Sequence, residues 1–202
     1  QKRIEANPEE AEHLSYNVLL IDTGTQKILI DTGNGQRGWV NGRLMSNLAE
    51  LGVDPDQIDI VVLTHAHADH YCGMLTETGE KVFPKASYKM WRDEWEYTTH
   101  PERLTTSYER GEAYWGYLLT YFLPLYPRLT FLDAEHPTIA EGIRAFYAPG
   151  HTKHHIAVTI ESAGEALIYT ADAFIHPKNL ENPTWKWSRA HDQDSVVPTN
   201  HA

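Results

Sequence analysis

A single cysteine, Cys72, leaves no partner for an internal disulfide and no basis for a cysteine cage around zinc. Basic residues are scarce: 17 Lys and Arg stand against 28 Asp and Glu, a formal charge of −11 with histidine neutral. A surface that binds nucleic acid needs a basic surplus, so nucleic acid is not expected as a partner. Long apolar runs are missing too. Ile58–Leu63 is already broken by Asp59, so no membrane span is expected. No charged-then-apolar leader opens the sequence, which gives a cytoplasmic expectation, while Gln1 in place of Met leaves a removed secretory leader open. No Gly-x-Ser-x-Gly elbow is present, so a serine nucleophile of that type is not expected.

The 202 residues, 41% hydrophobic and 22% charged, suit one globular domain with a core of its own. Residues 1–15 are polar and acidic and read as a loop or frayed end. Tyr16–Asp22 and Lys27–Asp31 flank turn chemistry at Thr23–Gln26 and predict a hairpin. Leu44, Leu48 and Leu51 recur at helical spacing before Gly52, and Ile58–Leu63 reads as a buried strand. Of the 22 Trp, Tyr and Phe residues, 12 fall between Tyr88 and Phe131, so 86–131 reads as an aromatic-rich helical insertion. Within it Tyr114, Leu118, Tyr121 and Leu125 predict one stripe of a helix ending near Pro124. Strand patterns return at Gly142–Tyr147, Ile156–Ile160 and Ala166–Thr170, which together suggest a layered α/β fold with sheets between helices.

Histidine is the excess, with 12 residues. Thr64-His65-Ala66-His67-Ala68-Asp69-His70 places four potential ligands within six residues, directly after a buried strand. His and Asp are zinc ligands, and a strand end can hold them accurately. Pro149-Gly150-His151-Thr152 follows a second strand, and Asp172 follows a third. Three strand ends thus deliver the His and Asp set that a two-metal hydrolytic site needs.

On these motifs, with Ile30-Asp31-Thr32-Gly33 ahead of them, the sequence resembles the metallo-β-lactamase superfamily from about Asn17 to Asp194. The resemblance implies a four-layer αββα sandwich, here shortened at both ends. It implies that His65, His67 and His151 hold one metal, that Asp69 and His70 hold the second, and that Asp172 bridges both. The cofactors implied are two zinc ions, with iron, manganese or cobalt as alternatives and no organic cofactor. Asp31 would orient ligands or the surrounding loop from behind. Asp69 and Asp172 are the candidate catalytic residues, and Asp69 could guide a proton towards the leaving group.

The ligand set points to the dinuclear hydrolase branch, similar to lactonases related to methyl-parathion hydrolases. The implied reaction is attack by a metal-bridging hydroxide on an ester-like bond, with an N-acyl-homoserine lactone as the leading substrate. Alternatives are phosphotriester or thioester hydrolysis, a one-iron persulfide dioxygenase, and an inactive truncated member. The family's seventh ligand, a later histidine, has no matching context, and His176, His191 or His201 could substitute. A tyrosine that assists some lactonases is replaced by Ile175, and Phe174 and Ile175 are candidate substrate contacts. The tail after His176 offers only Lys178, Lys186 and Arg189 as cations, which favours an uncharged small-molecule substrate. His154 and His155 read as solvated strand-edge residues and Cys72 as a small buried filler. An apolar face left uncovered by the shortening would be covered in a homodimer.

Overall fold

The computed structural model describes residues 17–36, 42–76, 78–109, 113–176, 178–186 and 190–200, without the side chains of 106–109, 113 and 114. The polar segment 1–15 lies outside the described residues.

Strands β1 (Leu19–Asp22) and β2 (Lys27–Ile30) form the expected hairpin. Its turn is closed by side chains: Asp22 accepts the Gly24 N–H at 2.8 Å and Thr23 Oγ1 accepts the Gln26 N–H at 2.9 Å. β2 then pairs in parallel with β3 (Ile60–Leu63), β3 with β4 (Ser87–Trp91), and β4 with β5 (Leu129–Leu132). A second sheet is an antiparallel meander of β6 (Thr138–Ala140), β7 (Ile143–Tyr147), β8 (Ile156–Ser162) and β9 (Glu165–Tyr169). The stretch 86–131, expected as a helical insertion, is corrected here: it opens and closes with strands of the first sheet. Its helical part is the crossover that a parallel β4–β5 pair requires.

Side chains of β2 and β3 alternate between two cores, so the near-continuous apolar runs are buried on both faces. Leu29, Val61 and Leu63 face helices, meeting Leu48 of α1 (Leu44–Glu50) and the Leu118–Leu125 segment. Ile28, Ile30, Ile60 and Val62 face the second sheet, meeting Ile143, Ala145, Ile156 and Val158. The order helix layer, sheet, sheet is that of the expected sandwich, up to the outer face of the second sheet. There Phe146 and Ile168 stay 39% and 61% exposed.

The crossover helices are α3 (Arg92–Thr99), α4 (Pro101–Glu109) and α5 (Ala113–Tyr117), the short α2 (Ala68–Tyr71) having come earlier. The expected stripe places Leu118, Tyr121 and Leu125 in the core, but not on one regular helix. The chain passes into a π turn over Leu118–Phe122 and a 3-10 turn over Leu123–Arg128, where Pro124 and Pro127 remove two donors from the ladder.

This topology creates one edge rich in strand ends. β2 and β3 run parallel with Ile30 opposite Val62, so Asp31 and Thr64 emerge together, and the Asp31 N–H bonds the Val62 carbonyl at 2.8 Å. β7 and β9 are both antiparallel to β8, so the chains leading to His151 and Asp172 leave the second sheet in a common direction. The Ile156 N–H to the Thr64 carbonyl, at 3.1 Å, ties the two sheets where these ends meet.

Candidate metal centre

At that edge three ring nitrogens converge. His67 Nδ1 lies 2.9 Å from His65 Nε2 and 2.9 Å from His151 Nε2. One imidazole nitrogen carries either a proton or an electron pair, so His67 Nδ1 cannot satisfy both neighbours. The outer contacts fix the tautomer of His65. Thr64 Oγ1 donates to the Asp31 carboxylate, 2.8 Å away, and therefore accepts from His65 Nδ1 at 3.1 Å. His65 Nε2 then presents an electron pair to the cluster. Burial, followed by the other histidines, pushes the pKa of His65 well below the usual imidazole value. His67 behaves likewise, and burial brings His151 down to about 4. Buried neutral nitrogens aimed at one point, with a single His67 nitrogen set between two others, fit a cation of the zinc type.

A second group adjoins the first. The His70 ring offers Nδ1 to Asp31 Oδ2 at 2.8 Å and turns Nε2 towards Asp172 Oδ2 at 3.6 Å and Asp69 Oδ2 at 3.8 Å. Asp172 Oδ2 is also 3.1 Å from His151 Nε2, so one carboxylate oxygen lies between the two groups. His65, His67 and His151 could hold one ion, and His65, His70 and Asp172 are close enough to share another. Burial alone would lower the pKa of His70, but the charges and hydrogen bonds of Asp31 and Asp172 outweigh it and hold the pKa well above normal. Burial would raise Asp172, yet its contacts with His70 and the charge of His151 hold its carboxyl well below the usual range. Two carboxylates beside one ring nitrogen form a negative subsite whose charge a divalent cation would balance.

Backbone strain surrounds these groups. Asp31 and Ala171 are non-glycine residues at φ values of 64° and 43°, just after β2 and just before Asp172. The Asp31 carboxylate repays this position by accepting from the Thr64 N–H and hydroxyl and from His70. Behind His70 the chains touch backbone to backbone. The His70 carbonyl accepts both the N–H and the hydroxyl of Thr32, and a Cβ on Gly73 would stand 2.2 Å from the Thr32 oxygen.

Two functional residues escape sequence reasoning. Glu94 of α3 is 2% exposed; its Oε1 accepts the Ala66 N–H, while Oε2 accepts the Thr152 hydroxyl and the His154 N–H. One carboxylate thus braces both histidine loops from behind. Nothing in Trp91-Arg92-Asp93-Glu94-Trp95 separates it from a solvated helix acid. His155, expected at a solvated edge, is fully buried; its Nε2 accepts the Asp172 N–H at 3.3 Å, and burial lowers its pKa to about 3. The expectation failed because the His65 and His151 rings and the Asp172 turn close over His155, contacts made far away in sequence.

Of the proposed replacements for a seventh ligand, His176 and His191 are described, and neither is in the two ligand groups. His176 Nδ1 accepts the Lys178 N–H at 2.9 Å, ahead of α6 (Lys178–Glu181). His191 packs edge-on against the His67 ring at 5.1 Å, held by its N–H to the His151 carbonyl just before α7 (Gln193–Asn200). His201 lies outside the described residues. Phe174 and Ile175 are half-buried directly after the Asp172 turn, and Cys72 is buried as expected. Among the described residues no helix is long and apolar enough to cross a membrane.

Comparison with known proteins places this geometry in a family. The sequence pattern of the metallo-beta-lactamase superfamily matches residues 12–197. An atrochrysone carboxyl ACP thioesterase of Passalora fulva is 26% identical over 170 residues, covering 84% of this chain and 41% of its own. A probable metallo-hydrolase of Mycobacterium tuberculosis is 26% identical over 190 residues, covering 83% of this chain and 59% of its own. Among solved structures, the dizinc quorum-quenching lactonase AidC is 28% identical with a TM-score of 0.73, over 91% of this chain and 65% of that one. The hydrolase AbOPH is 26% identical with a TM-score of 0.78, over 90% and 64%. The chain thus spans less than two thirds of each of these relatives. Matched over nearly all of its residues, and folded as the sandwich those structures share, the chain belongs to the metallo-beta-lactamase superfamily.

Proposed function

We propose that this chain carries the active centre of a two-metal hydrolase that opens an ester-like acyl bond. The observation that supports it most is the position of Asp172 Oδ2, 3.1 Å from His151 Nε2 and 3.6 Å from His70 Nε2. A carboxylate oxygen between two histidine groups is the arrangement a bridging ligand requires. On this reading His65, His67 and His151 hold one zinc ion, and His70 with Asp69 holds the other. Two ions there would supply Lewis acidity towards a carbonyl oxygen and a water acidic enough to attack near neutral pH.

The protein's own residues do the rest. Asp31 fixes the His70 ring, Thr64 fixes the His65 tautomer, and His155 holds the Asp172 backbone. Burial raises the pKa of Asp69, which suits a carboxylate that passes a proton to a leaving oxygen or sulfur. The lactonase and thioesterase relatives support acyl chemistry, with an N-acyl-homoserine lactone or an acyl thioester as the substrate. Zinc-loaded protein should hydrolyse N-hexanoyl-homoserine lactone or S-acetylpantetheine, and Asp172→Ala should abolish that turnover. Turnover of neither substrate, or an Asp172→Ala variant as active as the parent, would overturn the reading.

A further inference from the structure

Sequence reasoning finds cations near the site only in the tail after His176, but the fold brings two others to its rim. Arg103 of α4 lies with Cζ 4.0 Å from the centre of the Tyr97 ring and donates from Nη1 to the Tyr97 hydroxyl at 2.6 Å. Lys153, two residues after His151, brings Nζ to 5.3 Å from the same ring. Tyr97 in turn packs edge-on against His154 at 5.7 Å. A charge of −11 makes two cations on one ring unexpected, and among the described residues neither has a carboxylate at ion-pairing distance. The acids nearby interact with the cations through their fields, Glu94 with Arg103 and Asp192 with Lys153, while their hydrogen bonds go elsewhere. Glu94 is occupied by Ala66, Thr152 and His154, and Asp192 by the Ser195 hydroxyl at 2.6 Å. Asp93 acts on His154 through its field but pairs with neither cation.

The patch lies beside the His151 loop, since Lys153 follows His151 by two residues and Tyr97 packs against His154. The charge of Arg103 reaches His191, whose ring is 5.1 Å from that of His67. Two like charges gathered on one ring favour an anion that both can reach, and a guanidinium with an ammonium suits phosphate or carboxylate oxygens. Tyr97 orients both side chains in advance, which lowers the entropy cost of binding.

We propose that Arg103 and Lys153 form a seat for an acidic group of the substrate, a phosphate or a carboxylate carried away from the bond that is cut. The inference deepens the hydrolase reading and rests on it for the identity of the neighbouring site. It departs from the expectation of an uncharged substrate.

Calorimetric titration of zinc-loaded protein tests it with two matched pairs: 4′-phosphopantetheine against pantetheine, and N-hexanoylglycine against N-hexanoylglycinamide. The pair that shows a preference identifies phosphate or carboxylate as the group recognised. The charged member should bind about fivefold to tenfold more tightly at low salt, a gap that closes as salt rises. In Arg103→Gln and Lys153→Gln the charged-to-neutral ratio should fall towards one. Equal binding of charged and neutral members by the parent, or a ratio unmoved in both variants, overturns the seat. Failure of the hydrolase reading would appear separately, as no turnover of S-acetylpantetheine or the lactone whatever the binding ratio.

Discussion

Asp31 Oδ2 and His70 Nδ1 stand 2.8 Å apart across 39 positions of sequence. The same carboxylate takes the backbone N–H and the hydroxyl of Thr64, so one buried side chain sets the aim of His70 and, through Thr64, the tautomer of His65. Asn at position 31 keeps the left-handed backbone accessible but places an amide donor against donors. Asp31→Asn should therefore weaken zinc at the His70 subsite about 10-fold to 100-fold, measured by competition with a chromophoric chelator. Unchanged affinity at both subsites would show that Asp31 serves the turn alone.

Glu94 is expected to matter to both histidine loops. Glu94→Gln keeps the shape but turns an amide donor on groups that already donate, which should cost about 1–3 kcal/mol of stability in urea unfolding. The test of its bracing role is the rate of zinc loss from the His65, His67 and His151 subsite, which should rise in Glu94→Gln. Leu118→Ala, a core truncation away from those loops, should lose stability without that faster release.

The residues that the fold gathers at this edge are legible in the sequence because each stands at a strand end. Thr64–His70 is one strand end, and His151 and Asp172 each follow an apolar strand that the pattern reveals. What sequence reasoning misses is set by long-range register. Glu94 meets Thr152 from 58 positions away, and Lys153 of the His151 loop reaches the same Tyr97 ring as Arg103 of α4. The strand at Ser87–Trp91 was masked by its aromatic surroundings, which favour a helix stripe and a strand face equally well.

Alkaline pH isolates a feature of the fold far from the metal groups. Tyr88 is fully buried, donates to the Phe83 carbonyl at 3.1 Å, and has its pKa pushed up to about 12 by burial. Its neutral form is favoured by the folded state, so its contribution is complete below pH 10, the unfolded value, and is lost as pH rises from 10 to about 12. The share of Tyr88 in that loss should reach about 2 kcal/mol in urea titrations of metal-free protein at pH 11.5 against pH 8. In Tyr88→Phe the alkaline loss should shrink by that amount, and an unchanged slope would refute the assignment.

Two glycines should respond in opposite directions to alanine. A Cβ at Gly73 meets the Thr32 carbonyl at 2.2 Å, so Gly73→Ala must part the chains behind His70 and should lower both the melting temperature and zinc affinity. Gly116 lies within α5 with nothing within 4 Å of an added Cβ, and Gly116→Ala should stabilise by about 0.5–1 kcal/mol. Thermal unfolding of the pair separates close approach from helix entropy.

The central claim is that Asp172 joins two metal subsites. Elemental analysis of protein purified with zinc and without chelator tests it most directly. About two zinc ions per chain is the expected result, in keeping with a shared-carboxylate pair. One zinc or one iron per chain, or none, would contradict the account.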